Sequence, residues 1–206
     1  MKKYFMIFAL GMMALSTAAF AATTATNSNT VSPTLQISAT IQSAVQLTLS
    51  TGTAAVTHCP VTPGAGTDYA MNFGTVDALG INNGACNKFA PTTPGVTNAI
   101  YWSDYNLNPV FTSQTVTTNT ITAQVTTDFA APNNIQIVRD SANSSTVPTG
   151  VASFTPVSTA TADTIVTNAA SGSTQTRFIG VAVTPANGAG VTGAKSATVT
   201  FTLTVQ

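Results

Sequence analysis

The sequence predicts an all-β protein folded as a β-sandwich, and three observations carry that prediction. The first is composition. About 40 of the 206 residues are Thr, no Glu occurs, and only 6% of residues are charged. Helices draw on Glu, Lys, Leu and Arg, which are scarce here, whereas Thr and Val fit a pleated surface. The second is strict alternation of apolar and polar residues at both ends of the chain. The third is frequent turn punctuation between them: PGAG at 63–66, NNG at 82–84, NSS at 143–145 and NGAG at 187–190. Many short strands with frequent turns argue a sandwich.

Composition also excludes whole classes of function. Six Lys and Arg against six Asp leave a formal net charge near zero. A nucleic-acid binder needs a dense cationic footprint, which six basic residues do not supply. Disorder needs low hydrophobicity with high net charge, and the chain is 44% hydrophobic and neutral.

The N-terminus reads as an export signal. Met1-Lys2-Lys3 is a short cationic start, an apolar run follows from Tyr4, and Ala19-Phe20-Ala21 closes it with small residues at the cleavage position. The apolar run, about 17 residues, is short for a span, and no cationic stop follows. Residues 1–21 are therefore expected to be a signal peptide. The mature chain keeps Lys88, Arg139, Arg177 and Lys195 against six Asp, a net charge of about −2, and no further membrane segment is expected.

Two cysteines in an oxidising compartment most simply pair, so a Cys59–Cys86 disulfide is expected. A metal site built on His58 and Cys59 fails on ligand number, since a closed site takes about four soft or imidazole ligands. The chain offers three in all. No cofactor is expected.

Along the mature chain, residues 22–33 form a polar Thr/Ser/Asn stretch expected to be a flexible leader. Leu35, Ile37, Ala39, Ile41, Ser43, Val45, Leu47 and Leu49 then alternate with polar or small residues. Period 2 places one set on each face of a strand. Sustained over about 16 residues, this is two to three times the usual strand length. Val199, Phe201, Leu203 and Val205 alternate with Thr in the same way up to Gln206. Between the ends, strands are expected at 69–74, 99–103, 116–127, 135–139, 151–154, 163–167 and 177–183.

The motif search yields no catalytic constellation. Gly188, Gly190 and Gly193 fit a dinucleotide-type glycine pattern, but an alternating strand follows where a helix N-terminus would have to hold the phosphates. His58 is the sole imidazole, so any Ser-His-Asp chemistry would pass through a residue beside Cys59. Asn143-Ser144-Ser145 matches a glycosylation acceptor, a pattern that turns often satisfy. Tyr101, Trp102 and Tyr105 form the one aromatic cluster. It reads as core, with sugar stacking on Tyr101 and Trp102 as the functional alternative. The chain does not read as an enzyme.

The order of these features resembles a family. A signal peptide is followed by the alternating strand LQISATIQSAVQLTLSTG, then Cys59, then Met71-Asn72-Phe73-Gly74-Thr75-Val76-Asp77, then Ile137-Val138-Arg139-Asp140-Ser141-Ala142, and finally KSATVTFTLTVQ. This is similar to the spore coat protein U domain and to the pilin subunits of archaic chaperone–usher pili. The likeness covers most of 34–206, although 87–129 carries none of the motifs. It implies an incomplete immunoglobulin-like sandwich over 34–206, completed by a donor strand. A periplasmic chaperone lends that strand first, and the N-terminal segment of a neighbouring subunit, another copy or a related pilin, replaces it after passage through an outer-membrane usher. Residues 34–50 contain the candidate donor, with Leu35, Ile37, Ala39 and Ile41 as its inward side chains.

The implied function is a structural subunit of a secreted surface fibre, a pilus or fimbria supporting adhesion or biofilm formation. The subunit would cross the periplasm on its way to the cell surface. The alternative is a self-contained secreted coat or carbohydrate-binding domain. Polymers in solution would separate the first from the second.

Overall fold

A computed structural model describes residues 36–39, 44–66, 68–94, 96–112, 118–131, 134–185 and 192–206. The chain separates into two units, 1–41 and 42–206. Of the first, only 36–39 is described; it is exposed and belongs to no strand. The stretches expected to be signal peptide and leader, and Leu35, Ile41, Gly188 and Gly190, lie outside the described residues.

The second unit is all-β, as composition and patterning predict. Its strands are β1 (Ala44–Thr51), β2 (Val61–Pro63), β3 (Tyr69–Met71), β4 (Asn87–Phe89), β5 (Ala99–Thr112), β6 (Asn119–Thr127), β7 (Ile135–Asp140), β8 (Phe154–Pro156), β9 (Asp163–Thr167), β10 (Gln175–Val183) and β11 (Thr198–Val205). One six-stranded sheet runs β1-β5-β10-β7-β8, with β4 also on β5; a three-stranded sheet runs β11-β6-β9; β2 and β3 pair as a separate hairpin. Every described pairing is antiparallel.

The long strand β5 organises the molecule. One edge carries β10 along residues 99–107. The other carries β4 at Ile100–Trp102 and β1 at Tyr105–Thr112. Its odd residues Tyr101, Tyr105 and Leu107 join Ile121, Val125, Ile137, Val166 and Val181 in the core between the two sheets. Its even residues Ile100 and Trp102 face the other way and pack with Val138, Phe178 and Ala182 under Ala54, Val56, Val151 and Phe154. Both faces of the large sheet are therefore covered, and residues 99–107 are all buried.

Several sequence expectations need correction. The alternation from 34 does not make one strand, because β1 begins at Ala44 and 36–39 is not in a sheet. The strand expected at 99–103 continues to Thr112. Residues Val151–Ser153 form a 3-10 turn, with β8 starting at Phe154. β2 and β4, three residues each, are too short to show a period.

Candidate functional site

The described molecule has an apolar groove between the inner face of the large sheet, across β1, β5, β10 and β7, and the start of β11. Leu49 of β1 forms one bank. Ala197, Val199 and Phe201 form the other. The floor is Tyr105, Ile137 and Ile179, and the β2–β3 hairpin contributes a wall through Val61, Tyr69, Ala70, Met71 and Phe73. The cavity has a volume of about 150 Å³. Tyr105 and Phe201 lie with ring centroids 5.4 Å apart. Burial raises the Tyr105 phenol well above its ordinary range, with Arg177 and Arg139 opposing more weakly, so the groove floor stays neutral.

The strand beside the groove shows why the opening exists. Along β11 the even threonines are exposed, as alternation predicts, but Val199, Phe201, Leu203 and Val205 are only half-buried. Val199, Phe201 and Leu203 pack against the core without being fully covered. On β1, Leu47 and Leu49 are half-buried and Val45 is 56% exposed. Two uncharged edge strands with incompletely covered apolar side chains are an association hazard unless something covers them.

The remaining sequence candidates sort cleanly. Cys59 and Cys86 form the expected disulfide, with Cα atoms 5.2 Å apart. Cys59 is fully buried, and its N–H donates to Ser103 Oγ at 2.9 Å. Ile37 is 84% exposed and Ala39 is exposed too. Tyr101 and Trp102 do not form a stacking platform. They are 1% and 4% exposed and face opposite sides of the large sheet. Trp102 stacks on Phe89 at 5.4 Å and meets Phe178 edge-on at 5.8 Å. Asn143 is used as a turn residue. It adopts φ +48°, donates to the Thr164 carbonyl and accepts from Arg139.

Two polar clusters escaped the sequence reading. Asp104 is completely buried on β5; its carboxylate takes the Ala54 N–H at 2.8 Å and the His58 Nδ1 at 2.6 Å. Gly52 crosses so closely that a Cβ there would fall on that carboxylate. His58 is thus the partner of a buried acid, and adjacent Ser103 Oγ is occupied by the Cys59 N–H and the Asp104 carbonyl. The second cluster is the loop after β3. Asp77 accepts from the N–H groups of Leu79, Ile81 and Asn82 and from the Tyr101 hydroxyl. Burial pushes the Asp77 carboxyl up, but the Asn82, Ile81 and Leu79 amides together outweigh it and hold the carboxyl below its ordinary value. Lys88 Nζ donates to the carbonyls of Gly80, Ile81 and Asn82 and to Asn83 Oδ1, closing the loop from its other side. Asp104 lies inside an uninterrupted buried run, where no pattern marks it; the Asn-Gly pair at 83–84 was the visible trace of the second.

No protein-family model, curated protein or solved structure matches the chain. Among the described residues, no helix is long and apolar enough to cross a membrane, and no cluster of His, Cys, Asp or Glu is suited to a metal ion.

Proposed function

We propose that the chain is an exported structural subunit of a surface fibre, assembled by donor-strand complementation. The observation that carries this reading is the apolar groove over the inner face of the large sheet, with the incompletely covered edge strand β11 as one of its banks. The sheet orders support an immunoglobulin-like plan. Taking β1, β5, β10 and β7 as strands A, B, E and D, and β6 and β11 as C and F, the order is compatible with that plan, with β4, β8 and β9 as additional strands. In that plan strand G would lie beside β11.

A donor must be extended, alternating and free. The segment containing Ile37 alternates in sequence, and its described part is exposed and unpaired in any sheet. Leu35, Ile37, Ala39 and Ile41 supply apolar side chains at two-residue spacing, each contributing roughly 1–3 kcal/mol when fully buried. Backbone bonds to the β11 edge add affinity without sequence specificity. Other copies of the chain are then its main partners. A periplasmic chaperone and an outer-membrane usher complete the route to the surface, where the fibre supports adhesion or biofilm formation. The burial of Tyr101 and Trp102 favours this reading over sugar stacking on those two rings.

The test is Ile37→Asp, which would place an unpaired carboxylate in an apolar groove, a large cost. The expected outcome is a subunit that its chaperone still captures but that forms no fibres by electron microscopy. Normal fibres from the variant would defeat the proposal. So would a purely monomeric wild type whose residues 35–41 are protected from hydrogen exchange.

A further inference from the structure

The Cys59–Cys86 bridge brackets residues 60–85, and the whole hairpin wall of the groove lies inside that excursion. Strands β2 and β3 have three residues each and hydrogen-bond as a sheet only to each other. A hairpin of that size is marginal alone. Both ends of the excursion are seated on β5. Cys59 donates its N–H to Ser103, while Cys86 leads directly into β4, whose Asn87 pairs with Trp102. The disulfide thus ties the base of the hairpin shut over β5. Beyond it, Val61 N–H to Thr51 Oγ1 at 2.9 Å and the Asp77–Tyr101 hydrogen bonds hold the excursion.

We propose that the oxidation state of Cys59 and Cys86 sets whether the groove accepts a strand; the inference rests on the donor-strand reading. With the bridge closed, Val61, Tyr69, Met71 and Phe73 are held as a wall, and the groove takes residues 34–42 of a second copy. With two thiols in its place, the hairpin leaves that position and the groove loses its affinity. Closing the bridge forms one S–S bond and removes two electrons and two protons from the thiols. They pass to an oxidant of the thiol–disulfide exchange class, whose own disulfide becomes two thiols. The occupant is chosen on chemistry: residues 34–42 are uncharged and alternate, matching an uncharged apolar groove. An unoxidised subunit would then be unable to receive a neighbour.

The experiment titrates a labelled peptide of residues 34–44 into the mature chain, oxidised and after reduction with dithiothreitol, and into the C59S/C86S double variant. Amide hydrogen exchange is followed in parallel. The expected result is at least a tenfold loss of affinity without the bridge, with faster exchange confined to 61–73 and protection retained at 101–107. Equal affinity with and without the bridge would overturn the switch and leave the fibre reading intact. Loss of protection at 101–107 would also overturn it, because the disulfide would then be a general staple. Failure of the peptide to bind the oxidised protein would remove both the switch and the donor-strand reading.

Discussion

At the scale of single residues, the least replaceable groups are polar ones in apolar surroundings. Asp104 is a fully buried carboxylate whose charge is met by His58 and one backbone N–H. Removing the imidazole leaves that charge short of a partner. His58→Ala is expected to lower stability by about 1.5–3 kcal/mol, the range for a hydrogen bond to a charged group. Gly52→Ala should destabilise as well, because the added methyl and the Asp104 carboxylate claim the same space. Urea titration of both variants checks this, and a neutral Gly52→Ala would refute the close approach. Asp77 makes a pH-dependent prediction. Its folded carboxyl is held below the unfolded value of about 3.9. The stabilisation is therefore present above that pH and lost as pH falls through the lower folded value. Wild type should exceed Asp77→Asn in stability at neutral pH, and the difference should shrink as the pH drops below about 4. A difference that stays constant down to strongly acid pH would contradict the hydrogen-bonded loop.

At the scale of elements, β11 is the informative strand. Its inward side chains are half-buried, so Phe201→Ala should cost about 2 kcal/mol in the free subunit, roughly half the value for a fully buried Phe. Thr202→Ala, on the exposed face, should cost under about 0.5 kcal/mol. Equal shifts in a denaturant midpoint would overturn the assignment of faces. This strand was legible in the sequence because one of its faces meets water, so burial alternates with residue number. The same holds for β6, where Ile121, Ala123 and Val125 are buried and the residues between them are not. β5 was only partly legible. Ala99–Leu107 is covered on both faces, and a strand without a solvent face has no period to read. The groove shared this fate. Its β11 bank followed from alternation, but its hairpin wall depends on three-residue strands brought together by a disulfide loop. Ile37 and Ala39 belong to the most regular alternation in the chain, yet the described part of that stretch lies outside any strand, because alternation reports a preference and pairing needs a partner.

At the scale of the whole molecule, scarcity of charge is the governing property. With 6% charged residues, and Arg139–Asp163 as the one Arg or Lys ion pair with an acid among the described residues, screening has little to act on. The urea midpoint should change only slightly between about 0.01 and 1 M NaCl, where the screening length falls roughly tenfold. A large fall with salt would mean that ion pairs matter more than burial. The two-sided covering of β5 has a different kind of consequence, one read over generations. A strand with a wet face can drift at every second position, whereas along Ala99–Leu107 each side chain has neighbours to fit. Chains descended from this one should therefore keep AIYWSDYNL nearly intact while their exposed threonines are freely exchanged, leaving the central strand as the most durable mark of common ancestry.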